Sequence, residues 1–211
     1  MNFKEEFHKW FYTSEVWKEI SYLGVPCQKC PFDLWNYQEI VHDHKIGLVV
    51  EFGTLYGGAT KYFSHLMRNI SDSYAVLSFD ITLSNLYDEI YKLNNVKVFQ
   101  QDTSSVCIKE NLVDFRSKRD FPALFVLDSD HRMDHVYKEL INVKDVLRRG
   151  DYLIVEDSNL NGNPVVENFG KGPMEAINKF LDDFPDILKL DSERISKFGF
   201  SFAPKGYFLA I

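Results

Sequence analysis

The apolar run "FPALFVLD" ends in Asp128, and His131 follows three residues later. A second run, "DYLIVED", ends in the adjacent acids Glu156 and Asp157. Read as buried strands of one parallel sheet, the two runs place their carboxyl ends side by side, so acids far apart in sequence converge. Three carboxylates in one place repel. A hard divalent cation relieves that repulsion, and an all-oxygen set suits magnesium while leaving positions for water or a hydroxyl. Asp128, Glu156 and Asp157 are therefore the candidate metal ligands, with Mg²⁺ first and Mn²⁺ or Ca²⁺ as alternatives. If a helix begins at Asp128, His131 stands one turn on, beside that metal, where a neutral imidazole can take a proton from a bound hydroxyl. Asp128 and His131 are the candidate catalytic pair. Asp130, or Ser129, reads as a helix cap, and Asp134 and His135 read as a solvated helix face.

These residues need a sheet to position them, and the chain supplies one by alternation. "IGLVVEF" (46–52), "YAVLSFD" (74–80), "VKVFQ" (96–100), "FPALFVLD" (121–128) and "DYLIVED" (151–157) are short and rich in β-branched or aromatic residues, as buried strands are. Between them "GGATKYFSHLMRNI", "LSNLYDEIYKL" and "HVYKELINVKDVLRRG" carry helical spacing, the last running out in basic residues and Gly150. The pattern predicts a doubly wound α/β fold with a mostly parallel sheet of about seven strands and helices on both faces. "KGPMEAINKFLDDF" adds a helix, and "DILKLD" with "KGYFLAI" reads as a closing antiparallel pair. Residues 1–45 form a helical, aromatic-rich extension to an α/β core over 46–211, one domain in all; Phe3, Phe7, Trp10 and Phe11 make a packing stripe.

Open parallel sheets bind ligands at strand ends. The first such end, "VVEFGTLYGGAT", has Gly53, Gly57 and Gly58 to permit a tight turn and close backbone approach, ahead of a helix whose free N–H groups favour an anionic group. Glu51 would face a cationic part of the same ligand. The spacing G-x-x-x-G-G is not the dinucleotide fingerprint G-x-G-x-x-G, which argues against a nicotinamide cofactor. Asp80 ends the second strand, where an acid accepts from ribose hydroxyls, and Asp102, after the third, can accept from an adenine amino group. Together they describe an adenosine ligand.

The run E-x-G-x-x-x-G-G, the strand-two acid and the strand-three aspartate resemble class I S-adenosylmethionine-dependent methyltransferases. "WNYQEI", "EFGTLYGGA", "VLDSDH", "IVEDSN" and "GPMEAINKFL", in that order across roughly residues 24–210, resemble the cephalosporin hydroxylase family, a methyltransferase-fold group that includes sugar and antibiotic O-methylation proteins. The resemblance implies cofactor contacts from Glu51, Gly53, Thr54, Tyr56, Gly57, Gly58, Asp80 and Asp102. It also implies a metal held from the end of strand four and the acidic pair ending strand five. Related sugar O-methyltransferases carry a D-x-x-H histidine like His131, and Tyr37 and Gln38 would help cover the cofactor. No 2-His-1-carboxylate pattern is evident for an oxygenase iron. The long Asn/Gly/Pro-containing segment 159–173 reads as an acceptor-binding lid.

Composition bounds the rest. A net charge of −7 argues against a nucleic-acid surface. No apolar run approaches the length of a membrane span, and the acidic, interrupted N-terminus lacks a signal-peptide pattern, so a cytoplasmic protein is expected. Cys27 and Cys30 form a lone CxxC with no second pair, which reads as two ordinary thiols. The resulting expectation is an S-adenosylmethionine- and Mg²⁺-dependent O-methyltransferase acting on a sugar, glycan-precursor or glycosylated-metabolite hydroxyl. An NAD(P)-dependent oxidoreductase and a non-catalytic S-adenosylmethionine-binding protein are the alternatives. The aromatic N-terminal stripe offers a surface for a homo-oligomer.

Overall fold

The computed structural model describes residues 2–71, 73–118 and 120–211. Its N-terminal stretch forms α1 (Phe3–Thr13), a hairpin of β1 (Ser21–Tyr22) and β2 (Val25–Pro26), and α2 (Pro31–Asp43). The extension is thus helical in part, and the hairpin is not revealed by the sequence pattern because each strand is only two residues long. Half of the aromatic stripe is packing surface. Phe7 lies on Phe200 and Phe11 on Phe200 and Phe202, while Phe3 and Trp10 are exposed. Burial of Phe11 contributes roughly 1.5–3 kcal/mol, which holds the terminal helix against fraying.

The five apolar runs form β3 (Leu48–Phe52), β4 (Ala75–Asp80), β5 (Val96–Gln100), β6 (Ala123–Leu127) and β7 (Tyr152–Val155), paired in parallel. β8 (Leu188–Leu190) and β9 (Tyr207–Ala210) close the sheet antiparallel, giving the order β5-β4-β3-β6-β7-β9-β8. Alternate residues of each strand face opposite layers. One layer holds α2 and α3 (Gly58–Ile70), where Tyr37, Ile40 and Phe63 meet Val49, Val76 and Val126. The other holds α4 (Cys107–Ser117), α5 (Met133–Lys144) and α6 (Pro173–Asp183) over Phe52, Phe125 and Val155. A short α7 (Ser192–Ser196) follows β8.

Two helix expectations need correction. "LSNLYDEIYKL" is turns ending in a 3₁₀ turn at Ile90–Lys92. Only Leu86 and Ile90 of that segment are buried, too narrow a stripe to pay for a helix. The segment is tied to the first loop instead, by the N–H of Tyr87 donating to the Tyr56 carbonyl at 3.3 Å. α5 stops at Lys144, so Gly150 turns the chain into β7 rather than ending the helix.

Candidate active site

Register places the functional ends level. Phe52 pairs with Phe79 and with Leu127, and Leu127 with Val155. Gly53, Asp80, Asp128 and Glu156 therefore leave the sheet at one edge, around a cavity of about 680 Å³.

On one side lies the glycine loop. Gly53 takes φ +99°, and a Cβ there would stand 2.0 Å from the carbonyl oxygen of Asp128; a Cβ on Gly58 would stand 2.2 Å from that of Pro26. The close approach that demands glycine is to the protein's own backbone, and Gly57 presses on Leu86 and Ile90 away from the cavity. Gly53, Thr54, Tyr56, Gly58, Asp80 and Asp102 line the space. Asp80 accepts from the Leu55 N–H at 2.9 Å and the Thr82 N–H at 3.1 Å, so one carboxylate holds the loop in shape. Asp102 accepts from Ser104 N and Oγ, each at 2.8 Å, and the Ser104 hydroxyl bond holds its pKa below the usual range.

Glu51 departs from expectation. It is fully buried beneath the loop and does not line the cavity. Its Oε2 accepts from Ser78 Oγ at 2.6 Å and from Thr60, and Ser78 Oγ lies 2.6 Å from Thr54 Oγ1. Burial pushes its pKa up to about 7 against those hydrogen bonds. Glu51 thus organises the floor from which Thr54 rises, instead of meeting a cationic ligand directly.

On the other side the acids crowd. Asp128, His131 and Asp157 each offer one ligand atom, all within 4.8 Å of one another. His131 Nε2 lies 3.3 Å from Asp157 Oδ2. Burial lowers the His131 pKa, but Asp157 and Asp128 outweigh it and the net shift is upward. Burial pushes Asp157 up to about 6, opposed by His131. Asp157 also takes φ +51°, a left-handed conformation of the kind retained at functional sites. The set of two carboxylates and an imidazole fits a divalent cation.

Glu156 lies outside that group. Its Oε1 accepts from Lys29 Nζ at 2.8 Å and from the Tyr37 hydroxyl, and Lys29 also donates to Asp128 Oδ2. Burial pushes Glu156 up to about 7, with Lys29 opposing. Lys29 is 3% exposed and was missed by sequence reasoning, since a single lysine between two cysteines carries no mark of burial. Cys27 and Cys30 beside it are both buried free thiols. Tyr37 is fully buried under the acids and does not line the cavity, nor does Gln38, so neither covers a ligand there.

The stretch after Asp128 also differs from the expected helix start. α5 begins at Met133, and Arg132 at its N-cap makes no side-chain cap bond. Asp130 instead accepts from the Arg132 N–H at 2.9 Å and pairs with its guanidinium. Ser129 donates to Glu139 Oε1 at 2.6 Å, and His135 Nε2 stands 3.0 Å from Ser129 Oγ and 3.1 Å from Thr103 Oγ1. His135 is therefore half-buried and lines the cavity, whereas Asp134 is exposed as expected. Tyr12, Trp17 and Phe202 supply an aromatic wall from the two chain ends. No residue of 159–173 lines the cavity; Asn159, Leu160 and Val165 are buried, and the Lys171 carbonyl accepts from the Met133 N–H at 3.0 Å.

A mostly parallel seven-stranded sheet in this order, closed by antiparallel C-terminal strands, is the class I methyltransferase fold. Residues 14–211 match the family described as Rhamnosyl O-methyltransferase/CmcI, and the chain belongs to that family of S-adenosylmethionine-dependent methyltransferases. It is 42% identical over 207 residues to a rhamnosyl O-methyltransferase of Mycobacterium tuberculosis, covering 97% of this chain and 84% of the relative. The corresponding Mycobacterium leprae (strain TN) protein is 39% identical, with 97% and 89% covered. In fold it is similar to a CmcI structure with magnesium and S-adenosylmethionine, at TM-score 0.71, 21% identity and 92% and 77% coverage. It is also similar to a TDP-rhamnose 3'-O-methyltransferase of calicheamicin biosynthesis, at TM-score 0.56, 16% identity and 84% and 78% coverage. Among the described residues no helix is long and apolar enough to cross a membrane.

Proposed function

We propose that the chain transfers a methyl group from S-adenosylmethionine to a hydroxyl of a rhamnose-type sugar, with a divalent cation, Mg²⁺ first, at the end of β6 and β7. The observation that carries this reading is the Asp128–His131–Asp157 group, within 4.8 Å, on the wall of the cavity that the glycine loop closes from the other side. The 42% identity to a rhamnosyl O-methyltransferase supports the sugar class.

Each residue then has a task. The loop from Gly53 to Gly58 cradles the methyl donor, and Asp80 and Asp102 offer carboxylate acceptors to its ribose and adenine. S-adenosylmethionine, when bound, supplies a methyl on a sulfonium centre whose thioether leaves readily. A divalent ion, when bound, supplies a Lewis acid that lowers the pKa of a sugar hydroxyl. Asp128 and Asp157 would hold that ion, while Glu156, bonded to Lys29 and Tyr37, stands behind them. His131 Nε2 takes the proton of the attacking hydroxyl. Tyr12, Trp17 and Phe202 give the acceptor an apolar wall and help exclude water. A second reading of His131, as a third ligand, is favoured by its place in the ligand-spaced group; loss of metal affinity on replacing it by Ala distinguishes ligand from base.

The test is transfer of labelled methyl to rhamnosides, nucleotide-linked rhamnose and other glycans, with and without Mg²⁺. Magnesium-dependent labelling of a rhamnosyl hydroxyl is expected. Full activity after thorough chelation, or no binding of S-adenosylmethionine, contradicts the proposal.

A further inference from the structure

Among the described residues, Lys29 is the one ammonium placed between the acids at the ends of β6 and β7. Its side chain is 4% exposed, and its Nζ donates to Asp128 Oδ2 and, at 2.8 Å, to Glu156 Oε1. The Tyr37 hydroxyl donates to the same Glu156 oxygen, so that carboxylate is fixed from two directions. A buried ammonium is tolerated only when paired, and here it neutralises two buried or half-buried carboxylates at once. Asp128 belongs to this ion pair and also to the Asp128–His131–Asp157 group.

We propose that Lys29 is a resident counter-cation, which holds the acids together in the metal-free protein and competes with the divalent ion for Asp128. The inference rests on the metal site proposed above. An ammonium and a divalent ion sharing one carboxylate repel, and Lys29 can yield only toward Glu156, its other partner. Its presence therefore shapes the acidic pocket and weakens metal binding. Loss of the charge has two opposite consequences: the acids repel more strongly without metal, and the metal binds more tightly. A lysine that served only packing would show neither opposition, because its removal would weaken the fold and the metal site together.

The experiment is calorimetric titration of Mg²⁺ into the full chain, with melting temperatures recorded with and without Mg²⁺. The forms compared are the wild type, Lys29→Met and Lys29→Arg. Lys29→Met is expected to bind Mg²⁺ on the order of tenfold more tightly or better, as removal of an adjacent positive charge implies. It should melt lower than wild type without metal and show a larger rise on adding Mg²⁺. Lys29→Arg, which keeps the charge, should stay near wild type. Unchanged or weaker Mg²⁺ binding by folded Lys29→Met overturns the inference. If Lys29→Met does not fold, the Nζ resonance of Lys29 in ¹⁵N-lysine-labelled wild type decides. It should shift on adding Mg²⁺, and an unmoved resonance overturns the inference. Failure of wild type to bind Mg²⁺ at all would remove the metal site itself, and this inference with it.

Discussion

At the ends of β4 and β5 the acids are satisfied by nearby backbone: Asp80 by the N–H groups of Leu55 and Thr82, and Asp102 by Ser104. At the ends of β6 and β7 the acids face one another, and one buried ammonium stands among them. The first half of the cavity is shaped by local hydrogen bonds and holds its form without a ligand. The second half is shaped by opposed charges, so it is the half whose state a cation can change. On the proposed reading, the difference separates binding of the methyl donor from activation of the acceptor.

Three changes probe that separation. The largest effect is expected from His131→Ala, which should lower kcat by roughly 10²–10⁴-fold, as loss of a general base does. Binding of S-adenosylmethionine by calorimetry should be unaltered, and unchanged turnover would remove His131 as the base. Next is the pH dependence set by Glu51, whose burial raises its pKa to about 7. A carboxyl raised in the folded state contributes stability that is fully present below its unfolded pKa near 4.5 and is lost as pH rises through about 7. Glu51→Gln should therefore remove a loss of roughly 3 kcal/mol between those limits in denaturant titrations. An identical pH profile for the variant would show that Glu51 does not titrate as its burial requires. The smallest effect is expected from Asp80→Ala, which leaves the Leu55 N–H without its acceptor. It should weaken S-adenosylmethionine binding by about tenfold to a hundredfold, the worth of one hydrogen bond to a charged acceptor, while Mg²⁺ affinity stays constant. An equal loss of Mg²⁺ affinity would mean that the two halves are not independent.

The sheet was legible because four buried strands and the partly exposed edge strand β5 announce themselves as β-rich runs, and parallel pairing then dictates which ends meet. That logic sufficed to place Asp128 and Asp157 near each other. It did not reach Lys29, whose partners Asp128 and Glu156 lie far along the chain and whose burial depends on packing under β6 and β7. Nor did it reach the Thr103–Ser129–His135–Glu139 net, because His135 on an otherwise polar turn reads as solvated until α5 docks on β6. Glu51 was misplaced by strand parity. It shares the face of Val49, so its side chain enters the α2–α3 layer and not the cavity at the strand end. The helix α4 and the aromatic wall of Tyr12 and Trp17 escaped notice for a related reason. Of the apolar residues of α4 only Ile108 and Leu112 are buried, and the role of Tyr12 and Trp17 is fixed by what they cover.

The central claim is that Asp128 and Asp157 hold a divalent ion beside the methyl donor, and Mn²⁺ titration followed by electron paramagnetic resonance tests it directly. Wild type should bind one Mn²⁺ per chain, displaced by Mg²⁺, while the double variant Asp128→Asn with Asp157→Asn binds none and still binds S-adenosylmethionine. Retention of the same Mn²⁺ stoichiometry and affinity in the double variant would contradict the account.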